Sequence, residues 1–145
     1  MKRILSYIFV IAAMLTSCEI ETSGNGKLDG YWKLCGIDTL STGNKTDFTE
    51  RSIFWAVQAN ILSAQNKEDL LNPKYMFRFR HTADSLIVYN PQIYDKAEGN
   101  KEVTQIDELR IFGINSLTSR FHVESLSHKK LTLSDEYLRL HFRKF

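Results

Sequence analysis

The chain has 145 residues, with 19 basic against 17 acidic side chains, which is one domain's worth of protein. A formal net charge of +2 is too small to argue for nucleic acid or an anionic surface as a partner. Two cysteines, Cys18 and Cys35, exclude a disulfide-built scaffold, so stability has to come from an aromatic-rich core.

The first segment has the parts of an export signal: basic Lys2 and Arg3, an uncharged apolar stretch Ile4–Leu15, then small Thr16 and Ser17. As a helix that stretch would span only about 18 Å against roughly 30 Å of hydrocarbon. A permanent membrane span is therefore not expected. The order Leu15-Thr16-Ser17-Cys18 resembles the lipobox of bacterial lipoproteins. The resemblance implies that residues 1–17 are a signal peptide removed before Cys18, and that the Cys18 thiol carries lipid and anchors the chain to a membrane. By enterobacterial analogy, Glu19 in place of Asp implies the outer membrane. Glu19 and Glu21 also resemble the acidic stretch that sends lipoproteins to the cell surface in Bacteroidetes, so the periplasmic and external faces both stay open.

Loss of the signal removes Lys2 and Arg3 and lowers the formal charge from +2 to 0. It also leaves Cys35 as the only free thiol, expected to be buried in an apolar strand. Residues 18–27 are polar and glycine-rich and read as the lipidated cysteine and a flexible tether. The globular domain is expected over residues 28–145.

Within that domain the hydrophobic signal is mostly period two. Gly30–Ile37 is expected to be a first strand. Ile53–Leu62 fits two readings. A helix would put Phe54, Val57, Ile61 and Leu62 on one face; a strand would turn Ile53, Trp55, Val57, Ala59 and Ile61 inward. Its Trp, Phe, Ile and Val content favours a strand. Tyr75, Phe77 and Phe79 alternate with Met76, Arg78 and Arg80, and a turn at 81–85 leads to a hairpin partner over Leu86–Asn90. Asp95–Lys101 is charged and reads as a mobile loop. Thr104–Phe112 reads as one short helix, with Thr104 as N-cap and Gly113 at C′. Phe121 and Val123, Leu131 and Leu133, and Leu138, Leu140 and Phe142 mark three closing strands.

About seven short antiparallel strands in one small domain point to an all-β, up-and-down closed barrel, which leaves no free edge. Gly30-Tyr31-Trp32 resembles the Gly-x-Trp signature of lipocalins, in which the indole plugs the closed end of the barrel. That resemblance implies a late arginine stacked on Trp32, either Arg139 or Arg143. The stretches Leu109–Leu117 and Leu138–Phe145, with Phe77-x-Phe79-x-His81-Thr82-x-Asp84-Ser85-Leu86, resemble uncharacterised lipocalin-like lipoproteins of Bacteroidales. This likeness supports the strand over the helix for Ile53–Leu62. The sequence stops at Phe145, directly after the last strand, so a shorter barrel with a smaller cavity is expected.

Few residues suggest chemistry. No nucleophile elbow, zinc-protease helix, Cys-x-x-Cys pair or phosphate loop occurs. The histidines His81, His122, His128 and His141 are scattered. Asp95, Glu98, Glu102, Asp107 and Glu108 miss the calcium-loop spacing. Neither metal nor cofactor is expected, and no enzymatic activity. Asp38-Thr39-Leu40 and Asp84-Ser85-Leu86 fit the pattern of Bacteroidetes O-glycosylation, at Thr39 and Ser85. The inward set Trp32, Trp55, Tyr75, Phe77, Phe79, Phe121, Leu140 and Phe142 either lines a pocket for a small apolar ligand or fills the barrel itself. Aromatic stripes more often pack than bind, so a filled core is the favoured reading of these residues. Among functions, binding of a small apolar ligand is the leading expectation; a filled barrel would make the chain an accessory protein that contacts another envelope protein.

Overall fold

The computed structural model describes residues 24–145. The signal segment and Cys18 lie outside the described residues. Ten strands form: β1 (Gly30–Thr39), β2 (Lys45–Asp47), β3 (Ile53–Gln58), β4 (Ile61–Asn66), β5 (Tyr75–His81), β6 (Ser85–Ile93), β7 (Lys101–Glu102), β8 (Ser119–Leu126), β9 (Lys130–Ser134) and β10 (Leu138–Lys144). Eight of them, all but β2 and β7, pair antiparallel in chain order. β10 then pairs with β1 and closes the ring. The up-and-down barrel expected from the sequence is the fold. β2 adds to the second half of β1, and β7 to the end of β6.

Ile53–Leu62 is not one strand but most of a hairpin. β3 turns at Ala59 and Asn60 into β4, with Gln58 opposite Ile61. The turn lacks the Asn-Gly or Gly signal that usually marks a two-residue hairpin, and Ala59 itself takes a φ of 52°. Asn25 holds it there, donating from its amide to the Ala59 carbonyl at 2.8 Å. The chain thus contacts the barrel from Asn25, ahead of Leu28.

The expected helix is also corrected. Only a 3-10 turn forms, over Asp107–Phe112, and the residue before it is Ile106 rather than Thr104. Gly113 does end it in the left-handed region, at φ 79°. A side chain there would lie 2.5 Å from Leu140, so both backbone and packing require glycine. The Asp95–Lys101 loop is pinned: Asp95 accepts from the backbone N–H of Ala97 and Glu98.

The two ends of the barrel differ. At one, the closed end, strands are joined by short turns at 59–60, 82–84 and 127–129, and the N-terminal chain enters. The other, the loop end, carries residues 40–52, 67–74, 94–118 and 135–137.

Candidate functional site

The barrel interior is the first place to look for a ligand, and inward strand positions build it. Trp32 on β1 faces Trp55 on β3 in register. Trp55 then meets Phe142 at 4.8 Å and Phe121 at 5.9 Å between ring centroids. Of the eight expected interior residues, seven are at most 3% exposed: Trp32, Trp55, Tyr75, Phe77, Phe121, Leu140 and Phe142. Phe79 is half-buried and packs against the edge of that core. The structure therefore brings the set together as one packed cluster.

The closed end is sealed by three residues. The Trp32 Nε1–H donates to the Leu28 carbonyl at 2.8 Å. The cation over its ring is neither Arg139 nor Arg143 but Lys144, whose Nζ lies 4.6 Å from the ring. The alternation that turns Leu138, Leu140 and Phe142 inward puts Arg139 and Arg143 outside and continues to Lys144. Arg139 pairs instead with Glu124 at 2.8 Å. Lys144 Nζ also donates to the carbonyls of Lys27 and Asp29 at 3.0 and 2.8 Å. Gly30, at φ 134°, lets it pass: a Cβ there would touch Lys144 Cε at 3.0 Å.

The loop end is sealed by a segment the sequence reading missed as core. Val103, Leu109, Phe112 and Ile114 are 0–6% exposed and close the mouth like a stopper. Phe112 meets Tyr75 ring to ring at 5.6 Å, and the Tyr75 hydroxyl donates to Glu108 at 2.8 Å. Burial, with the Glu108 carboxylate beside it, pushes the Tyr75 phenol well above its usual range. The signal was present in the spacing of Leu109, Phe112 and Ile114, but a helix reading gave those residues no destination.

Among the described residues, two polar atoms inside or beside this core lack partners: Trp55 Nε1 and His81 Nε2. Burial pushes the His81 imidazole below its ordinary pKa.

On the outer wall, a β-bulge between Leu34 and Gly36 makes Cys35 the extra residue of β1. The thiol is half-exposed instead of buried, because Trp32 and Leu34 take the inward positions and Cys35 has the opposite parity. The extra residue then turns Ile37 rather than Gly36 toward Leu140. The Cys35 Sγ points to the Lys33 carbonyl at 3.5 Å. Cys35 shares a shallow hollow of about 330 Å³ with Asp38, Lys45, Asp47 and His141. There His141 Nε2 lies 2.9 Å from Asp38 Oδ2, and that hydrogen bond holds the Asp38 carboxyl below its usual range. Among the described residues no three His, Cys, Asp or Glu side chains converge as a metal site would require. No helix among them is long and apolar enough to cross a membrane. Thr39 is half-buried at the end of β1, and the Ser85 hydroxyl lies 2.7 Å from that of Thr82 within its turn.

Comparison with solved structures finds two with the same fold. A lipocalin-like protein from Bacteroides uniformis ATCC 8492 is 23% identical, with a TM-score of 0.63, over 83% of this chain and 100% of that one. An uncharacterized protein from Bacteroides eggerthii DSM 20697 is 20% identical, with a TM-score of 0.56, over 81% and 99%. Comparison with curated proteins finds no match. A family model described as a lipocalin-like domain matches residues 13–145, and with the Gly30-x-Trp32 seal and the closed eight-stranded ring this chain belongs to the lipocalin-like domain family.

Proposed function

We propose that this chain is a lipid-anchored, non-catalytic protein of the outer membrane whose loop end docks another envelope protein. The observation that carries this reading is the distribution of exposed apolar side chains. Of the seven large hydrophobics exposed among the described residues, six lie at the loop end: Leu40, Leu70, Leu71, Tyr94, Leu117 and Tyr137. Leu70 and Leu71 are 97% and 92% exposed, on a turn that Asp69 holds by accepting from the Leu71 N–H at 2.9 Å. A fixed turn that presents two bare leucines is costly unless something covers them. A packed interior fits the same reading, because it leaves the outer surface as the place for recognition. The test is crosslinking in cells from photoreactive residues placed at positions 70 and 71. A reproducible crosslink to one envelope protein is expected; self-crosslinks alone, or none, would overturn the reading.

One observation favours a second reading, a small apolar ligand bound inside with the 103–114 stopper displaced. Trp55 Nε1 is a buried donor with no acceptor, and such a group gains from a ligand oxygen. Native mass spectrometry after mild extraction decides it. A co-purifying ligand whose occupancy falls in Trp55→Phe supports interior binding, and an empty protein sinks it.

A further inference from the structure

The near-neutral charge of the whole chain hides a strong separation. The loop-end segments, residues 40–52, 67–74, 94–118 and 135–137, carry seven basic and eleven acidic residues. The rest of the described chain carries ten basic and four acidic. The excess of cations is concentrated on the walls and at the closed end. Lys33 on β1 stands opposite Arg143 on β10, and Arg143 stands opposite Lys130 on β9. Lys33 spends its Nζ on the Thr49 carbonyl, 2.7 Å away in a loop-end segment, so the closed end presents Arg143 and Lys130 side by side, with Lys129 in the adjoining turn. Like charges directly opposite in a sheet repel. Among the described residues no carboxylate forms an ion pair with Lys33, Arg143, Lys129 or Lys130.

The same end holds Phe145, the seventh exposed large hydrophobic, at 77%. It rests its ring edge on Phe54 and Tyr31, at 5.3 and 6.1 Å. It is also where the chain arrives from Cys18. Five residues lie between Cys18 and Gly24, so the two are at most about 22 Å apart when the chain is fully extended. Strands of this length, tilted as barrels require, put the loop end roughly 20 Å further away.

We propose that the closed end is the face that lies against the bilayer, docked on anionic headgroups through Arg143, Lys130 and Lys129. Phe145 sits at the interface beside them. This rests on the proposed anchor at Cys18, which supplies proximity; the three cations supply orientation. Docked in this way, the barrel holds its acidic, apolar loop end away from the membrane, where a partner approaches. The placement of charge argues against the opposite orientation, which would also hold the tether close to full extension.

The test uses the mature, acylated protein in nanodiscs of phosphatidylcholine, with or without about 30 mol % phosphatidylglycerol. Headgroups bearing gadolinium broaden nearby amide signals. In anionic discs, broadening at residues 82–84 and 127–129 is expected to exceed that at 69–72 by about threefold or more. The contrast should vanish in neutral discs, at about 0.5 M salt, and in the triple variant Lys129→Gln, Lys130→Gln, Arg143→Gln. That variant should unfold no more readily than the parent, because it relieves repulsion. Equal broadening at both ends in anionic discs, or stronger broadening at 69–72, would overturn the proposal, as would a triple variant that keeps the contrast. The anchor is read separately, by mass spectrometry of the mature N-terminus. If Cys18 carries no lipid, the exported chain should still sediment with the anionic vesicles and not with the neutral ones; sedimentation with neither overturns the docking as well.

Discussion

The two ends of the barrel reach the same result, an interior closed to solvent, by different means. At the closed end the seal is made by strand residues themselves, with Trp32 on β1 and Lys144 on β10 locked across the seam that closes the ring. At the loop end the seal is an inserted stretch, Val103–Ile114, joined to the strands by the Tyr75–Phe112 ring contact and the Tyr75–Glu108 hydrogen bond. Loss of the first seal should therefore disrupt the ring, whereas loss of the second should open a mouth and leave the ring intact. The expectation for this barrel is one end coupled to global stability and another that opens locally.

Substitutions at the two ends separate these roles. The largest effect is expected from Trp32→Ala, which leaves a cavity and strands the Lys144 cation: about 3–5 kcal/mol of global stability, read by urea unfolding. Gly113→Ala forces a Cβ against Leu140 and strains a positive φ, for about 2–3 kcal/mol. Its signature should be faster hydrogen exchange over 103–114 with β1, β3 and β4 still protected. Uniform loss of protection would show that the stopper and ring are one cooperative unit. Lys144→Met keeps the packed stem but removes the ring contact and two hydrogen bonds, and should cost about 1–2 kcal/mol. Tyr75→Phe removes one hydrogen bond at the stopper, about 1 kcal/mol, with exchange again faster in 103–114 only.

The smallest effect is a pH dependence at the closed end. Burial lowers the His81 pKa from its model-compound value of 6.5. Below that value the unfolded chain binds a proton that the folded one resists. Stability is therefore complete above about pH 6.5 and declines as the pH falls toward the folded pKa. Unfolding titrations at pH 7.5 and 5.5 should show this decline in the parent and a weaker one in His81→Leu.

The ring was legible in the sequence because alternation alone places Trp32, Phe77, Phe121, Leu140 and Phe142 on one face. Alternation also identifies Lys144 as the cation on Trp32, since Arg139 and Arg143 have the wrong parity. Other features were hidden by their physics. The β3–β4 turn uses Ala59 at positive φ, held by a residue 34 positions away, so no local residue marks it. Cys35 looks buried by its apolar neighbours, but its parity is opposite to that of inward Trp32 and Leu34, and it faces out. The stopper reads as a short helix because the spacing of Leu109 and Phe112 marks an apolar face without saying what that face covers. The loop-end patch appears only once four separate loops are seen to share one end.

The β1–β10 seam has one further consequence, for the order of events in folding. It pairs Trp32 with Lys144, so the ring closes only when nearly the first and the last residues of the domain are present together. Neighbouring strands form local hairpins quickly, but a contact of such long sequence separation is slow and comes late. A chain threaded out N-terminus first cannot complete its barrel until its final strand emerges. Until then the ring stays open, and it closes only when Lys144 reaches Trp32.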